Sequence, residues 1–403
     1  MLVSRTDSCN VEIVSSRTPT NVTSPGYPFM AYPNNLHCWW RIDASDSGNS
    51  VIVRVLDSYI ESSTNCAYDS LSFYDGRDAT GPSLGRLCGQ NRTSVISSGR
   101  SIYIVFKTDG SNQYKGFLLE LYETTRCGGA LTATPDETNF VSPGFPYQYL
   151  NNMNCTWFLT SENENDTIVV EFDQLQLEGG RAGCLYDYVS VYNDHENHNE
   201  QFLGQFCGSS TPTIQSSRNK LRIDFKTDLS GVLQGFSLNY KTVTAGDCNL
   251  TMPADSNPIY FVSPGYPDAY DNDLECVWQM VSTGQQYIQI DVIGSEIEGN
   301  YPLCSNDSVT VYEGRDLKAP EVGKFCGNST PSFISNARAM TVSFTTDGED
   351  VGKGFRIRYR SLDAPVTTVS PSPDRRCGST ALSAVGQGQY LESPRVSFGL
   401  CKQ

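Results

Sequence analysis

The chain is poor in the features that usually announce catalysis, nucleic-acid binding or membrane insertion. It has only three histidines, His37, His195 and His198, and no Cys-x-x-Cys pair. A nucleophile-base pair or an open catalytic metal needs more than that, so an enzyme is not expected. Lys and Arg total 29 against 45 Asp and Glu, a net charge of -16, and no basic block occurs. That balance argues against nucleic acid and anionic membranes as partners and for cations or basic proteins. No stretch approaches the roughly 18 apolar residues of a membrane helix, and no window keeps a helical period for three turns. No apolar leader precedes Cys9, so the chain reads as an incomplete product of a secreted architecture.

What is abundant is cysteine, and its spacing repeats. Twelve of the 14 fall at Cys9, Cys38, Cys66 and Cys88, then Cys127, Cys155, Cys184 and Cys207, then Cys248, Cys276, Cys304 and Cys326. The internal gaps are 29-28-22, 28-29-23 and 28-28-22, which divides the chain into three units of about 120 residues. So many patterned cysteines place the protein in an oxidising, extracellular or secreted compartment. Four cysteines allow three pairings per unit; first with second and third with fourth is preferred, because each bridge then closes a short loop worth roughly 3 to 4 kcal/mol. Seven Asn-x-Ser/Thr sequons, at Asn21, Asn91, Asn154, Asn165, Asn249, Asn306 and Asn328, are candidate glycosylation sites compatible with secretion.

Each unit also carries Ser-Pro-Gly-aromatic-Pro (Ser24–Pro28, Ser142–Pro146, Ser263–Pro267) and a Trp two residues after its second cysteine (Trp40, Trp157, Trp278). A Cys-Gly at the fourth cysteine and a late Gly-Phe follow. Core aromatics and turns set by Pro and Gly explain these without a functional role. Stretches such as Ser101-Ile-Tyr-Ile-Val-Phe106 and Phe236-Ser-Leu-Asn-Tyr240 alternate with period two between turn-rich breaks. The expected fold is therefore all-β: three tandem β-sandwiches, each of two antiparallel sheets.

The pattern with chemistry in it is a carboxylate triad repeated three times. Glu61 and Asp69 of Cys66-Ala-Tyr-Asp69 are answered by Asp109; Glu178 and Asp187 by Asp228; Glu298 and Asp307 by Asp347. The Glu-to-Asp gaps are 8, 9 and 9 and the Asp-to-Asp gaps 40, 41 and 40. One such carboxylate is usually a solvated surface charge; three held in register and brought together by a fold repel one another unless a cation joins them. Calcium, a hard ion taking six to eight oxygens, suits such a set. By contrast, His195-Glu-Asn-His198 has no counterpart in the other units and reads as a solvated loop.

Four cysteines at these spacings, with Ser-Pro-Gly-Tyr-Pro, Cys-x-Trp, Cys-x-Tyr-Asp and Gly-Phe in fixed order, resemble CUB domains over residues 9 to 361, some nine-tenths of the chain. The resemblance implies a jelly-roll-like sandwich of two five-stranded sheets, the cysteine pairing preferred above, and calcium bound by the three triads. It implies further ligand oxygens two and three residues after the last aspartate, here Ser111 and Asn112, Ser230 and Gly231, and Glu349 and Asp350. Uninterrupted tandems resemble cubilin-type endocytic receptors, whose calcium sites hold Lys or Arg of extracellular protein partners. Alternatives are a non-catalytic accessory region of a secreted metalloprotease or complement-type serine protease, or a structural extracellular spacer.

The domains expected on this basis are 9–124, 127–243 and 248–361, after an N-terminal segment 1–8. A Pro/Ser/Thr-rich linker follows at 362–376. Residues 377–403, with Cys377 and Cys401, resemble the start of a fourth unit, too short to bury a core and expected to be disordered. Asn306 stands where the other units have Tyr68 and Tyr186, and as a sequon it puts a glycan beside Asp307, so access to the third site is expected to suffer.

Overall fold

The computed structural model describes residues 5–6, 9–179, 183–193, 201–244, 246–282, 284 and 286–363. His195 and His198, Cys377 and Cys401, nearly all of the expected linker and the whole of 377–403 lie outside the described residues.

Alternation along the chain converts directly into alternation of burial. His37–Ala44 and Glu275–Ser282 bury every second residue, and Trp40, Trp157 and Trp278 are essentially inaccessible between the sheets. The late Gly-Phe supplies the facing ring: Phe117 meets Trp40 edge-on at 5.8 Å, and Phe355 meets Trp278 at 5.6 Å.

Each repeat is a two-sheet sandwich. In the first, Val11–Ser15, His37–Ala44, Ser101–Lys107, Ser70–Asp75 and Ser83–Leu87 lie in that order in one sheet. The other holds Arg5–Thr6, Thr20–Thr23, Gly116–Thr125, Asn49–Tyr59 and Ser94–Ile96. The second and third repeats copy this plan, except that the sheet built on Gly235–Thr244 or Gly354–Leu362 contributes four strands rather than five, because among the described residues no strand there corresponds to Arg5–Thr6.

The pairing is antiparallel apart from the edges: Val11–Ser15 runs parallel to His37–Ala44, and the same holds at Gly129–Thr132 and Leu250–Ala254. The chain crosses to the opposite sheet after Ser15, runs Thr20–Thr23 there and comes back through the Ser-Pro-Gly turn, so it re-enters the first sheet in the same direction. All six disulfides join first with second and third with fourth cysteine within a repeat, Cys9–Cys38 and Cys66–Cys88 in the first.

One recurrent glycine has a steric reason. Gly116, Gly235 and Gly354 sit at φ near +90° (+92, +94 and +90), and a Cβ there would fall 1.8 to 2.1 Å from the hydroxyl of Ser24, Ser142 or Ser263. That serine is the first residue of the Ser-Pro-Gly turn, and its Oγ accepts from the next residue's N–H, Phe117, Phe236 or Phe355, at 3.0 Å.

The repeats are not separate beads. Gly204 of the second repeat pairs with Ile259 of the third, which fuses two five- and four-stranded sheets into one of nine strands across the junction. Arg356 donates to the Phe202 carbonyl at 2.9 Å and lies 4.8 Å over the Tyr260 ring, while Arg218 and Asp268 are 3.0 Å apart. Between the first and second repeats, Tyr122 packs on Tyr147 at 5.2 Å and Gly144 N–H donates to Thr124 Oγ1. Arg356→Ala removes a cation-over-ring contact and one hydrogen bond, so it should cost the junction about 1 kcal/mol. The expected result is roughly fivefold faster amide exchange at Gly204 and Ile259, with the first repeat unchanged; equal protection would show the arginine to be idle.

Candidate metal centres

In every repeat the fold delivers the predicted triad to one place. Glu61, Asp69 and Asp109 offer oxygens that all lie within 4.8 Å of one another, as do Glu178, Asp187 and Asp228, and Glu298, Asp307 and Asp347. Local structure explains how. The glutamate follows the long strand that ends at Tyr59 or Gln176, and the residue before it forms an isolated bridge to the Cys-Gly glycine: Ile60 to Gly89, Leu177 to Gly208, Ile297 to Gly327. Those glycines take φ of +69, +69 and +63°, which is why glycine follows the fourth cysteine.

The last aspartate is placed by the threonine before it. Thr108 Oγ1 accepts from Leu36 N–H and donates to the Pro33 carbonyl; Thr227 and Thr346 do the same with Met153 and Leu150, and with Leu274 and Asp271.

The middle aspartate is the hub. Asp69, Asp187 and Asp307 are fully buried. Asp69 Oδ1 accepts from Asp109 N–H at 2.7 Å and its Oδ2 from the Tyr32 hydroxyl at 2.6 Å. Asp187 repeats both bonds with Asp228 N–H and Tyr149 at 2.8 and 2.6 Å, and Asp307 with Asp347 N–H and Tyr270. The same tyrosine oxygen then accepts the N–H of Glu61 at 3.0 Å, Glu178 at 3.1 Å or Glu298 at 2.9 Å.

Sequence reasoning missed these tyrosines as site residues. The signal was available, a Tyr six residues before each second cysteine, but a tyrosine near a turn reads first as packing. Burial raises the phenol pKa of all three, that of Tyr270 to about 12, so each stays a proton donor. Burial also raises the Asp187 carboxyl, against the Tyr149 and Asp228 hydrogen bonds that lower it. Burial lifts Glu298 too, helped by Asp347, Asp307 and Asp350.

The auxiliary positions differ among repeats. Ser111, Ser230 and Glu349 donate their N–H to the last aspartate at 2.8, 2.8 and 3.0 Å. Asn112 Nδ2 donates to Glu61 Oε1 at 2.7 Å. Gly231 instead leaves room, since a Cβ there would stand 2.1 Å from Glu178 Oε2, and its carbonyl lies 3.3 Å from Tyr149 Oη. Asp350 and Glu349 are exposed, giving the third site the most acidic rim.

The decisive detail is one oxygen per site. Glu61, Glu178 and Glu298 each have Oε2 buried without any hydrogen-bond partner. A buried carboxylate oxygen left bare is costly, and the same atom is bare three times, facing two further carboxylates. Such a set fits a hard cation that takes oxygen ligands.

Of the sequon asparagines, Asn91, Asn154, Asn165, Asn249, Asn306 and Asn328 are exposed, and Asn21 is half-buried in Thr20–Thr23. A Gly-x-Ser-x-Gly string, Gly81-Pro-Ser-Leu-Gly85, opens the edge strand Ser83–Leu87. A nucleophile elbow needs a helix after the serine, and none follows here. Among the described residues no helix is long and apolar enough to cross a membrane.

The family model described as the CUB domain matches residues 9–121, 127–240 and 248–359. Cubilin of Rattus norvegicus is 30% identical over 346 residues, covering 85% of this chain and 9% of that protein. Tolloid-like protein 1 of Homo sapiens is 28% identical, covering 94% of this chain and 40% of that one. The chain thus spans about a tenth of the cubilin it matches. A solved MASP-1 CUB2 domain bound to Ca2+ is 26% identical and covers 28% of this chain and 99% of that one, at a TM-score of 0.25 too low to carry the geometry over. With three family matches in register with three sandwiches, the chain belongs to the CUB-domain family, as three CUB domains in tandem.

Proposed function

We propose that the chain is an extracellular, calcium-dependent protein-binding array, the ligand-binding region of a cubilin-like endocytic receptor. Each repeat would hold one Ca²⁺ through its Glu-Asp-Asp triad. The observation that carries this is the unpartnered glutamate Oε2 beside two carboxylates in all three repeats. Three carboxylates around Ca²⁺ leave a local charge of about -1, which an incoming Lys or Arg neutralises. Such an exposed pair is worth up to about 1 kcal/mol, so affinity comes from several sites engaging one partner along the row. Six disulfides support an oxidising compartment. The match to Tolloid-like protein 1 favours a second reading, a non-catalytic accessory region of a longer secreted protease.

The test is capture of lysine-rich peptide by the full chain. Binding should require calcium, weaken with salt and vanish on chelation; chelator-insensitive binding would refute the reading. At about 1 mM calcium, a site of Kd near 10⁻⁴ M adds roughly 1.4 kcal/mol of stability, so thermal melts with calcium should lie above those with chelator.

A further inference from the structure

The third repeat breaks the pattern of the other two at one position. Tyr68 and Tyr186, 56% and 46% exposed, stand immediately before the buried aspartates of the first and second sites. Their counterpart is Asn306, exposed, and Asn306-Asp307-Ser308 is a sequon. Asn306 also reaches a place no tyrosine does: its Nδ2 donates to Glu298 Oε1, and the other oxygen of that carboxylate is the bare one. The nitrogen to which a glycan is joined is therefore already in contact with the candidate metal ligand.

We propose that Asn306 carries an N-linked glycan that caps the third site, leaving it a calcium-holding but partner-blind repeat. This rests on the reading of the triads as calcium sites.

The chemistry of the amide allows both halves of that statement. Glycosylation replaces one of the two Nδ2 hydrogens, and the one that remains keeps the bond to Glu298 Oε1 while the first sugar projects from the rim. A bare ion passes beside a sugar. A Lys or Arg side chain brings its own backbone and neighbours with it, and these meet the glycan before the charged head reaches the carboxylates.

The rim is also unlike the others in charge. Glu349 and Asp350 stand where the first site has Ser111 and Asn112 and the second Ser230 and Gly231. More carboxylates raise cation affinity while the glycan removes access, so the third site serves to stiffen its own loops. Because the second and third repeats share a nine-stranded sheet, that stiffening supports the second site's repeat as well.

The clean variant is Ser308→Ala, which deletes the sequon and leaves Asn306 and its contact with Glu298 untouched. Ser308 Oγ lies 3.3 Å from Thr345 Oγ1. Asn306→Gln, which keeps an amide but not the sequon, guards against a local effect at Ser308. Both are made in the full chain carrying Asp69→Asn and Asp187→Asn, so that the third site alone is read, and all are secreted from glycosylating cells. Glycopeptide mass spectrometry should find Asn306 modified in the parent. Calcium titration should give the same affinity in the parent and in Ser308→Ala. Chelator-sensitive binding of lysine-rich peptide should rise up to roughly fivefold in both variants, the return of one exposed charge pair.

An unmodified Asn306 overturns the proposal, as does unchanged peptide binding in the two variants. The chain with all three triads intact separates the two readings. If it holds peptide in calcium while Ser308→Ala gains nothing, shielding fails and the array stands; if it holds none, both fail.

Discussion

Asp187→Ala should weaken the second repeat by about 3 kcal/mol in chelator as well as in calcium, whereas Asp228→Ala should cost it little unless calcium is present. The two carboxylates belong to the same triad but do different work. Asp187 is fully buried, with one oxygen taking the Tyr149 hydroxyl and the other the Asp228 N–H. Its removal leaves the Asp228 amide without its acceptor and the buried Tyr149 phenol with only the long 3.3 Å contact to the Gly231 carbonyl, each loss costing about 1 to 3 kcal/mol. Part of that is offset, because burial already disfavours the ionised carboxylate and pushes its pKa up. Asp228 is half-buried and accepts the Ser230 N–H within its own loop, a turn that water can complete. Since the second and third repeats share a core, a single melting point would mix them. The measurement is therefore amide exchange in Lys220–Lys226, whose opening free energy reports the second repeat, with calcium and with chelator. Equal losses for the two variants in chelator would end the division between a structural and an ion-holding aspartate.

How far the sequence could be read follows from what sets each feature. The sandwiches and the triads were legible because both depend on residues at fixed intervals: period two for the strands, and gaps of 40, 41 and 40 between the aspartates. Any fold that repeats must bring Asp69 to Asp109 in the same way it brings Asp187 to Asp228. The pairing of Cys66 with Cys88 was preferred for a different reason, the short loop of 22 residues that it closes.

The tyrosine hub was not, because Tyr32 is an ordinary core residue by composition. Its role comes from where its hydroxyl ends, between the N–H of Glu61 and the carboxylate of Asp69, residues 29 and 37 positions away. The nine-stranded sheet was invisible for a different reason: it hangs on one residue pair, Gly204 with Ile259, and depends on how two sandwiches are set against each other. The parallel edge strands were missed because alternation gives a strand's faces and not its direction.

The tyrosine hub itself yields the sharpest expectation for calcium. Tyr149→Phe removes a single oxygen and keeps the ring that packs edge-on against Phe225 at 5.5 Å. That oxygen donates to Asp187 Oδ2, accepts from Glu178 N–H and lies against the Gly231 carbonyl, so it ties together all three stretches that build the site. Without it Glu178 is no longer held by its backbone and Asp187 loses a donor. Groups that orient metal ligands from behind typically cost 10- to 100-fold in affinity when removed, so calcium affinity at the second site should fall by about that factor. The pH dependence gives a second readout. The Tyr149 hydrogen bond lowers the Asp187 pKa against the burial that raises it. Deleting the hydroxyl leaves the raising cause less opposed, so protons compete with calcium at higher pH than in the unaltered chain. Calcium binding by Tyr149→Phe should therefore fade earlier as pH is lowered, while the first and third sites of the same molecule keep their profile. Calcium titrations across pH on the folded variant decide it. An unchanged affinity and pH profile at the second site would reduce Tyr149 to a packing residue.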